Sequence, residues 1–378
     1  MKIYLDNAAT TAIHPEVIDA MVEVMKNKFG NPSSIHGYGR EVRTIVEDAR
    51  KKVAKILKTS PASIFFTSGG TEANNMAIRC TIHDMAIRHA ITSPIEHHAV
   101  IHTLEDLAAR GEIKLSLVKL DSNGNVDLND LERLLKENER SFVSLMHANN
   151  EIGTLLPLQE CGAICRKYDA IFHCDTVQTM GHFIHDMSTL QVDFITCAAH
   201  KFHGPKGVGF LYINNERVKI KPLITGGAQE RNMRGGTENV YGIVGLAKAL
   251  ELAYDHMDEH MIYITGLKNY MIKKLMDEIP GVSFNGETGK KSLYTVLNVS
   301  LPSTEIGEML LFNLDIAGIA ASGGSACSSG SNQGSHVLKA INGDSDRPAV
   351  RFSFCSNNTK EEIDYAVEKL KEMFLVKA

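Results

Sequence analysis

Lys201, Asp175 and Cys327 are the side chains of this sequence whose settings best suit covalent chemistry. Lys201 stands in Cys197-Ala-Ala-His-Lys-Phe-His-Gly-Pro-Lys-Gly-Val-Gly209, after a strand-like run and before a glycine-rich turn. At the carboxyl end of a strand a lysine loses water, which favours the neutral amine and hence a Schiff base with a carbonyl compound. A lysine in a loop is otherwise simply solvated. Asp175, in His173-Cys-Asp-Thr-Val-Gln178, ends the preceding strand-like run, where its charge would keep a nearby ring nitrogen protonated. In Ser322-Gly-Gly-Ser-Ala-Cys-Ser-Ser-Gly-Ser-Asn-Gln-Gly-Ser335, ten of fourteen residues are Gly or Ser, so nothing anchors the segment in a core. A mobile loop (about 322–335) with Cys327 exposed is expected, which makes that thiol a candidate nucleophile. The other six cysteines read as small buried hydrophobes.

A fourth stretch, Ser63-Ile-Phe-Phe-Thr-Ser-Gly-Gly-Thr-Glu-Ala-Asn-Asn75, reads as strand, glycine turn and a helix opening at Thr71. Backbone N–H groups at such a start attract phosphate, and Gly69 and Gly70 would let it come close. A plain N-cap at Thr71 followed by acidic Glu72 explains the same residues. In open α/β sheets ligands gather outside the carboxyl ends of strands, so Asp175, Lys201 and the Thr71 helix start should converge. A phosphate site, a Schiff-base lysine and a carboxylate for a pyridinium nitrogen are the parts of a pyridoxal phosphate enzyme. An imidazole of Glu96-His97-His98 could stack on the ring or be structural. No G-x-G-x-x-G or G-x-x-x-x-G-K-[ST] occurs, which disfavours dinucleotides and P-loop chemistry. Cys161/Cys165 and His182/His185 lack metal-ligand spacing, so no firm metal site is expected.

These residues need a scaffold. With 378 residues, 43% hydrophobic, the chain should form two lobes. A net charge of −5 without a basic cluster argues against direct nucleic acid binding. Asp6 interrupts any leader-like run and no apolar stretch is long enough for a membrane span, while seven scattered cysteines suit a reducing cytoplasm. Helical spacing appears in Val17, Met21, Val24 and Met25 and again from Val42 to Leu57. Short apolar runs then alternate with helical patterns: Ser63–Thr67, Leu115–Lys119, Phe142–Met146, Ala170–His173 and Phe194–Cys197. The expected class is α/β, a mostly parallel sheet with helices on both faces. Gly207–Ile213 follows GPKG with no intervening helix and should be an antiparallel insertion. One long helix is expected from about Val240 towards Met276. Strands over Tyr294–Ser300, Gly318–Ser322 and Ala349–Phe354, with helices over Glu305–Leu314 and Lys360–Phe374, complete a smaller α+β lobe. The large domain is placed at 15–257 and the small one at 1–14 and 258–378.

The ordered segments YLDNAATT, NPSSIHGYGR, FTSGGTEANN, EHHAV, NNEIGT, HCDTVQ, AHKFHGPKGVG, GGAQERNMRGGTEN, GGSACSSG and VRFS run from Tyr4 to Ser353. Together they closely resemble the pyridoxal phosphate-dependent cysteine desulfurases of the NifS/IscS type. The Cys327 segment resembles the longer loop of that branch rather than the shorter RxGxHC version typified by SufS. The resemblance implies a fold-type I homodimer using pyridoxal 5'-phosphate, with Lys201 as Schiff-base lysine and Asp175 on the pyridine nitrogen. It assigns Gln178 and Asn150 to the ring hydroxyl region, His97 to ring stacking, and Gly70, Thr71 and His200 to the phosphate side. Thr237 would reach the phosphate of the other subunit's cofactor. Arg351, assisted by Asn31, would grip the substrate carboxylate, where an interlobe salt bridge is the competing reading.

The activity implied is removal of sulfur from L-cysteine, giving L-alanine and a persulfide on Cys327 for an acceptor protein, an iron–sulfur scaffold or a thiolation enzyme. Cys327 is also left open as a transient iron–sulfur ligand. Two departures are visible. Ala198 stands where many relatives carry Ser, so one phosphate contact is expected to be missing. The chain stops at Val376-Lys-Ala378, short of a tail common in scaffold-dependent relatives, which weakens the expectation of scaffold docking. A same-fold aminotransferase would use Lys201 and Asp175 but needs no cysteine in a Gly/Ser loop. Selenocysteine lyase activity is chemically adjacent, and a non-catalytic sulfur-status sensor would make no use of Lys201, Asp175, Cys327 and Arg351.

Overall fold

The computed structural model describes residues 2–303, 309–323, 334–342 and 347–375. Cys327 lies outside them, as does the first part of the helix expected over Glu305–Leu314. In chain order the elements are β1 (Ile3–Tyr4), α1 (Pro15–Asn27), α2 (Gly37–Ile56), β2 (Ile64–Thr67), α3 (Gly70–Asn75), α4 (Thr81–Asp84), β3 (His89–Thr92), α5 (His98–Ala109), β4 (Lys114–Leu117), α6 (Leu128–Lys136), β5 (Ser141–Ser144), α7 (Leu158–Lys167), β6 (Ile171–Asp175), β7 (Phe194–Ala198) and β8 (Gly209–Ile213). There follow α8 (Gln229–Asn232), α9 (Val240–Asp255), α10 (Met257–Glu278), β9 (Ser283–Asn285), β10 (Val296–Ser300), α11 (Leu310–Ile316), β11 (Ile319–Ala320), α12 (His336–Asn342), β12 (Ala349–Ser353) and α13 (Lys360–Leu375).

The large sheet has the order β2-β8-β7-β6-β5-β3-β4. Strands β4, β3, β5, β6 and β7 run parallel, and β8 is antiparallel to both β7 and β2. The expected α/β class therefore holds, including the antiparallel insertion. Strand β6 shows how one sequence serves both faces: Phe172 and Cys174 join the core on the α1, α2 and α9 side, while Ile171 joins the core on the α3 and α5 side. His173 and Asp175, two and four residues on from Ile171, share its face. All six described cysteines are buried.

Helix α2 buries Val42, Val46, Ala49 and Val53 on one stripe, and its N-terminus is capped by His36, whose ring accepts from Gly39 N. Pro15 occupies the first turn of α1, where its missing N–H is harmless. The single helix expected from Val240 is instead two, α9 and α10, which meet at His256. A second core joins α10 and α13 to the antiparallel sheet β12-β10-β9 and to β1, which pairs in parallel with β11.

Candidate active site

Strands β2, β6 and β7 end at the same edge of the sheet, and the turns after them line one cavity of about 230 Å³. Gly70 and Thr71 come from the turn after β2, Asp175 and Gln178 from the end of β6, and Ala198, His200 and Lys201 from the end of β7. His97 and Asn150 enter from the connections that follow β3 and β5. Arg351 arrives from β12 of the other sheet, and Ala8 and Ala9 from the N-terminal segment. The convergence expected of Asp175, Lys201 and the helix start is present.

The helix start differs from the expected one. Gly69 is the N-cap, at φ 152°, and helix α3 begins at Gly70, so Thr71 lies inside the first turn and is not the cap. A Cβ on Gly70 would sit 2.7 Å from Val177 Cγ2. Val177, itself in the cavity wall, thus packs on the Gly70 backbone more closely than any other residue type would permit.

Asp175 is buried, and its carboxylate accepts from Val177 N at 2.9 Å and from Asn74 Nδ2 at 2.7 Å. Asn74 was not among the expected site residues, although it lies in the FTSGGTEANN segment. The sole signal for it is its place one helical turn inside the glycine start, which turns it under the cavity floor. Behind it, Asn74 Oδ1 lies 3.1 Å from His173 Nε2, and His173 Nδ1 lies 2.8 Å from Ser144 Oγ.

The Lys201 ammonium donates to the carbonyls of Ala8 at 2.6 Å and Ala9 at 2.9 Å. Gln178 Nε2 shares the Ala8 carbonyl. His97 caps α5 through Nδ1, which accepts from Ala99 N, and burial lowers its pKa against the pull of Asp175. A neutral ring accepting through Nδ1 carries its proton on Nε2. His200 is pushed down to about 4 by burial and the neighbouring lysines, and its Nδ1 meets Thr10 Oγ1 at 3.2 Å.

Arg351 donates from Nη1 to Asn150 O at 2.8 Å and from Nη2 to Asp6 Oδ1 at 2.7 Å. Its Nε has no hydrogen-bond partner among the described residues. Two expected residues are not brought to this cavity. Asn31 is exposed, its Oδ1 accepting from Ser33 N. Thr237 lines a separate cavity of about 180 Å³ with Glu230, Arg234 and Gly207. The loop bearing Thr237 is tied to α2 by a buried bidentate pair, Arg50 to Glu230, at 2.7 and 2.8 Å, and to β2 through Glu230, which also accepts from Phe66 N.

A larger cavity of about 590 Å³ adjoins the first through Ala8, Gln178 and Lys201. Its lining includes His14, His182, His203, His256 and His260. No group of three or more metal-ligating side chains suited to a metal ion occurs among the described residues, and none of their helices is long and apolar enough to cross a membrane.

The model of the aminotransferase class-V family matches residues 3–366. The chain belongs to that family. Class-V aminotransferases are pyridoxal phosphate-dependent enzymes. Within the family, the chain is 45% identical over 376 residues to the cysteine desulfurase IscS of Dictyoglomus turgidum, covering 98% of this chain and 94% of the relative. A solved NifS-like protein superposes with a TM-score of 0.91 at 40% identity, over 99% of both chains. A structure of SspA in complex with cysteine superposes with a TM-score of 0.81 at 30% identity, over 93% of this chain and 99% of that one.

Proposed function

We propose that the protein is a cysteine desulfurase that holds pyridoxal 5'-phosphate in the 230 Å³ cavity and passes the sulfur of L-cysteine to Cys327. The observation that carries this reading is one cavity lined by Lys201, Asp175, His97 and Arg351. The residues suit the cofactor. Asp175 is a buried carboxylate for a ring nitrogen, His97 offers an imidazole face, and Gly70 and Thr71 at the start of α3 bring backbone N–H groups to the cavity wall where a phosphate would lie. Thr71 and His200 complete the phosphate side, Gln178 and Asn150 the ring hydroxyl side. With Ala198 at the end of β7, no side-chain hydroxyl is offered from that position.

When bound, pyridoxal phosphate supplies an electron sink for charge developing at the α-carbon of an amino acid. The chain does the rest. Arg351 anchors the substrate carboxylate, and a planar guanidinium fixes its orientation. Lys201 Nζ takes the Cα proton. The Cys327 thiolate then attacks the substrate sulfur; its S–S bond forms as the Cβ–S bond breaks, Cβ receives a proton for which His97 is the proposed donor, and Lys201 Nζ returns its proton to Cα. L-Alanine and a Cys327 persulfide result, and the persulfide is a reversible cap that an acceptor thiol can remove.

The relatives' IscS and NifS names favour an acceptor in iron–sulfur cluster assembly. A homodimer would complete the site. Thr237 and Asn31 lie away from the cavity of their own chain, and the stretch around Asn31 exposes Phe29, Ile35 and Tyr38. The test is sulfide and alanine release from L-cysteine with added pyridoxal phosphate and reductant, alongside Cys327→Ala. Equal yields from the native protein and none from the variant are expected. No release from cofactor-loaded native protein overturns the reading.

A further inference from the structure

We propose that Asn74, His173 and Ser144 form a one-way line of hydrogen bonds that holds the Asp175 carboxylate as an acceptor facing the cavity. The proposal rests on the reading of that cavity as a pyridoxal phosphate site and assigns three positioning residues to it.

The polarity follows from the atoms. Asn74 Nδ2 is 2.7 Å from Asp175 Oδ2, and an ionised carboxylate only accepts, so the amide nitrogen must face it. That turns Asn74 Oδ1 to His173 Nε2 at 3.1 Å, and an amide oxygen only accepts, so Nε2 carries the proton. Burial holds His173 neutral, with a pKa of about 4, so Nδ1 keeps its lone pair and accepts from Ser144 Oγ at 2.8 Å. Reversal requires a proton on Asp175, a flipped amide at Asn74 and the other tautomer of His173, all together.

The line is also rigid. Ser144 and His173 are register partners in parallel β5 and β6, and Ser144, His173 and Asn74 are each no more than 1% exposed. The imidazole lies between Phe142 and Phe194, with ring centroids at 6.1 and 6.3 Å. A buried, fully connected line holds its direction because each unmade bond inside it is costly. Other titratable groups that sense Asp175 are Glu96 and His97 from the turn before α5, and Cys174 and Cys197 in β6 and β7. Burial disfavours the charged form of all four, pushing Glu96 and both thiols well up and His97 down.

Nitrogen-15 NMR of the histidine-labelled full chain reads the tautomer, with the signal assigned from its loss in His173→Gln. His173 should show a protonated Nε2 and a bare Nδ1 from neutral pH down towards about 4. A protonated Nδ1 at neutral pH overturns the line. In cofactor-loaded protein, Asn74→Leu should move the pH midpoint of the lysine-bound chromophore upward, because a less shielded carboxylate better stabilises the cation. The expected shift is about one unit, the size of one lost hydrogen bond to a charged group. Ser144→Ala, a milder change, should move it less in the same direction. Unmoved midpoints in both variants overturn the proposal. Because the tautomer is read without cofactor, failure to bind pyridoxal phosphate refutes the proposed function and leaves this measurement decisive for the line itself.

Discussion

The Arg351 guanidinium joins β12 to two other parts of the chain, donating 2.7 Å to Asp6 Oδ1 and 2.8 Å to the Asn150 carbonyl. By the expected domain bounds Asp6 lies with Arg351, so the pair is no interlobe salt bridge, and only the bond to Asn150 reaches the other segment; the pair is compatible with substrate binding, since one carboxylate at this guanidinium can give way to another. Arg351→Lys keeps the charge and loses the planar fork. It should raise the KM for L-cysteine roughly tenfold to a hundredfold, the value of one or two charge-assisted hydrogen bonds, with the cofactor chromophore intact. Steady-state kinetics decide it, and a KM within about twofold of native would remove Arg351 from substrate binding.

Gly70→Ala should weaken cofactor retention about tenfold or more, because the new methyl meets Val177 Cγ2 at 2.7 Å and overpacking of this kind costs about 1–3 kcal/mol. Val177→Ala in the same chain should restore most of the affinity. Equilibrium dialysis of the single and double variants measures both. Equal retention by native protein and Gly70→Ala would place the phosphate elsewhere.

Glu230→Ala removes the bidentate partner of the Arg50 guanidinium, in a site where both are only 2% exposed, and leaves it the part-exposed Glu47 carboxylate at 3.1 Å. Breaking such a pair from one side costs about 3–5 kcal/mol, because the remaining charge stays buried. Denaturant unfolding should show that loss as a lower midpoint, and an unchanged midpoint would mean that water reaches Arg50.

Acid should unfold the protein earlier than its carboxylates alone require. His173 and His185 are fully buried, and burial holds them at about 4 and about 3, against an ordinary value near 6.5. Between those values the unfolded chain binds protons that the folded chain refuses, so stability falls as pH drops from about 6.5 and levels off below the folded values. Each such histidine contributes about 1.4 kcal/mol per pH unit in that window. His147, His182 and His200, all near 4, act in the same direction. Glu96, pushed up by burial, acts in the opposite direction and offsets about one of them. Unfolding midpoints measured from pH 7 to 5 should fall steadily; a flat profile would contradict the buried neutral imidazoles.

Much of the site is legible before any coordinates, because strand ends and glycine turns are written locally. Asp175 and Lys201 close apolar runs, and the strand-end rule places both at one edge. The antiparallel β8 is legible because GPKG leaves no room for a crossover helix. Asn74 is not, since an asparagine in TEANN looks like a solvated helix face until the helix direction is known. The break at His256 is hidden for a similar reason: no Pro or Gly marks it, and apolar residues continue through both helices. β1 and β9, of two and three residues, are too short to show any period, and only their partners β11 and β10 define them.

The pairing of Ile3 and Tyr4 with Ile319 and Ala320 has a consequence for how the chain is made. β1 leaves the ribosome more than three hundred residues ahead of its partner, so it stays unpaired while the whole large sheet is made. Contacts so far apart in sequence form late, because the loop between them must first be closed. Ala8 and Ala9, which hold the Lys201 ammonium, follow directly on that strand. The cavity would then be completed only when the C-terminal lobe folds, and a ribosome-bound chain lacking β11 should have the large sheet without a finished lysine pocket.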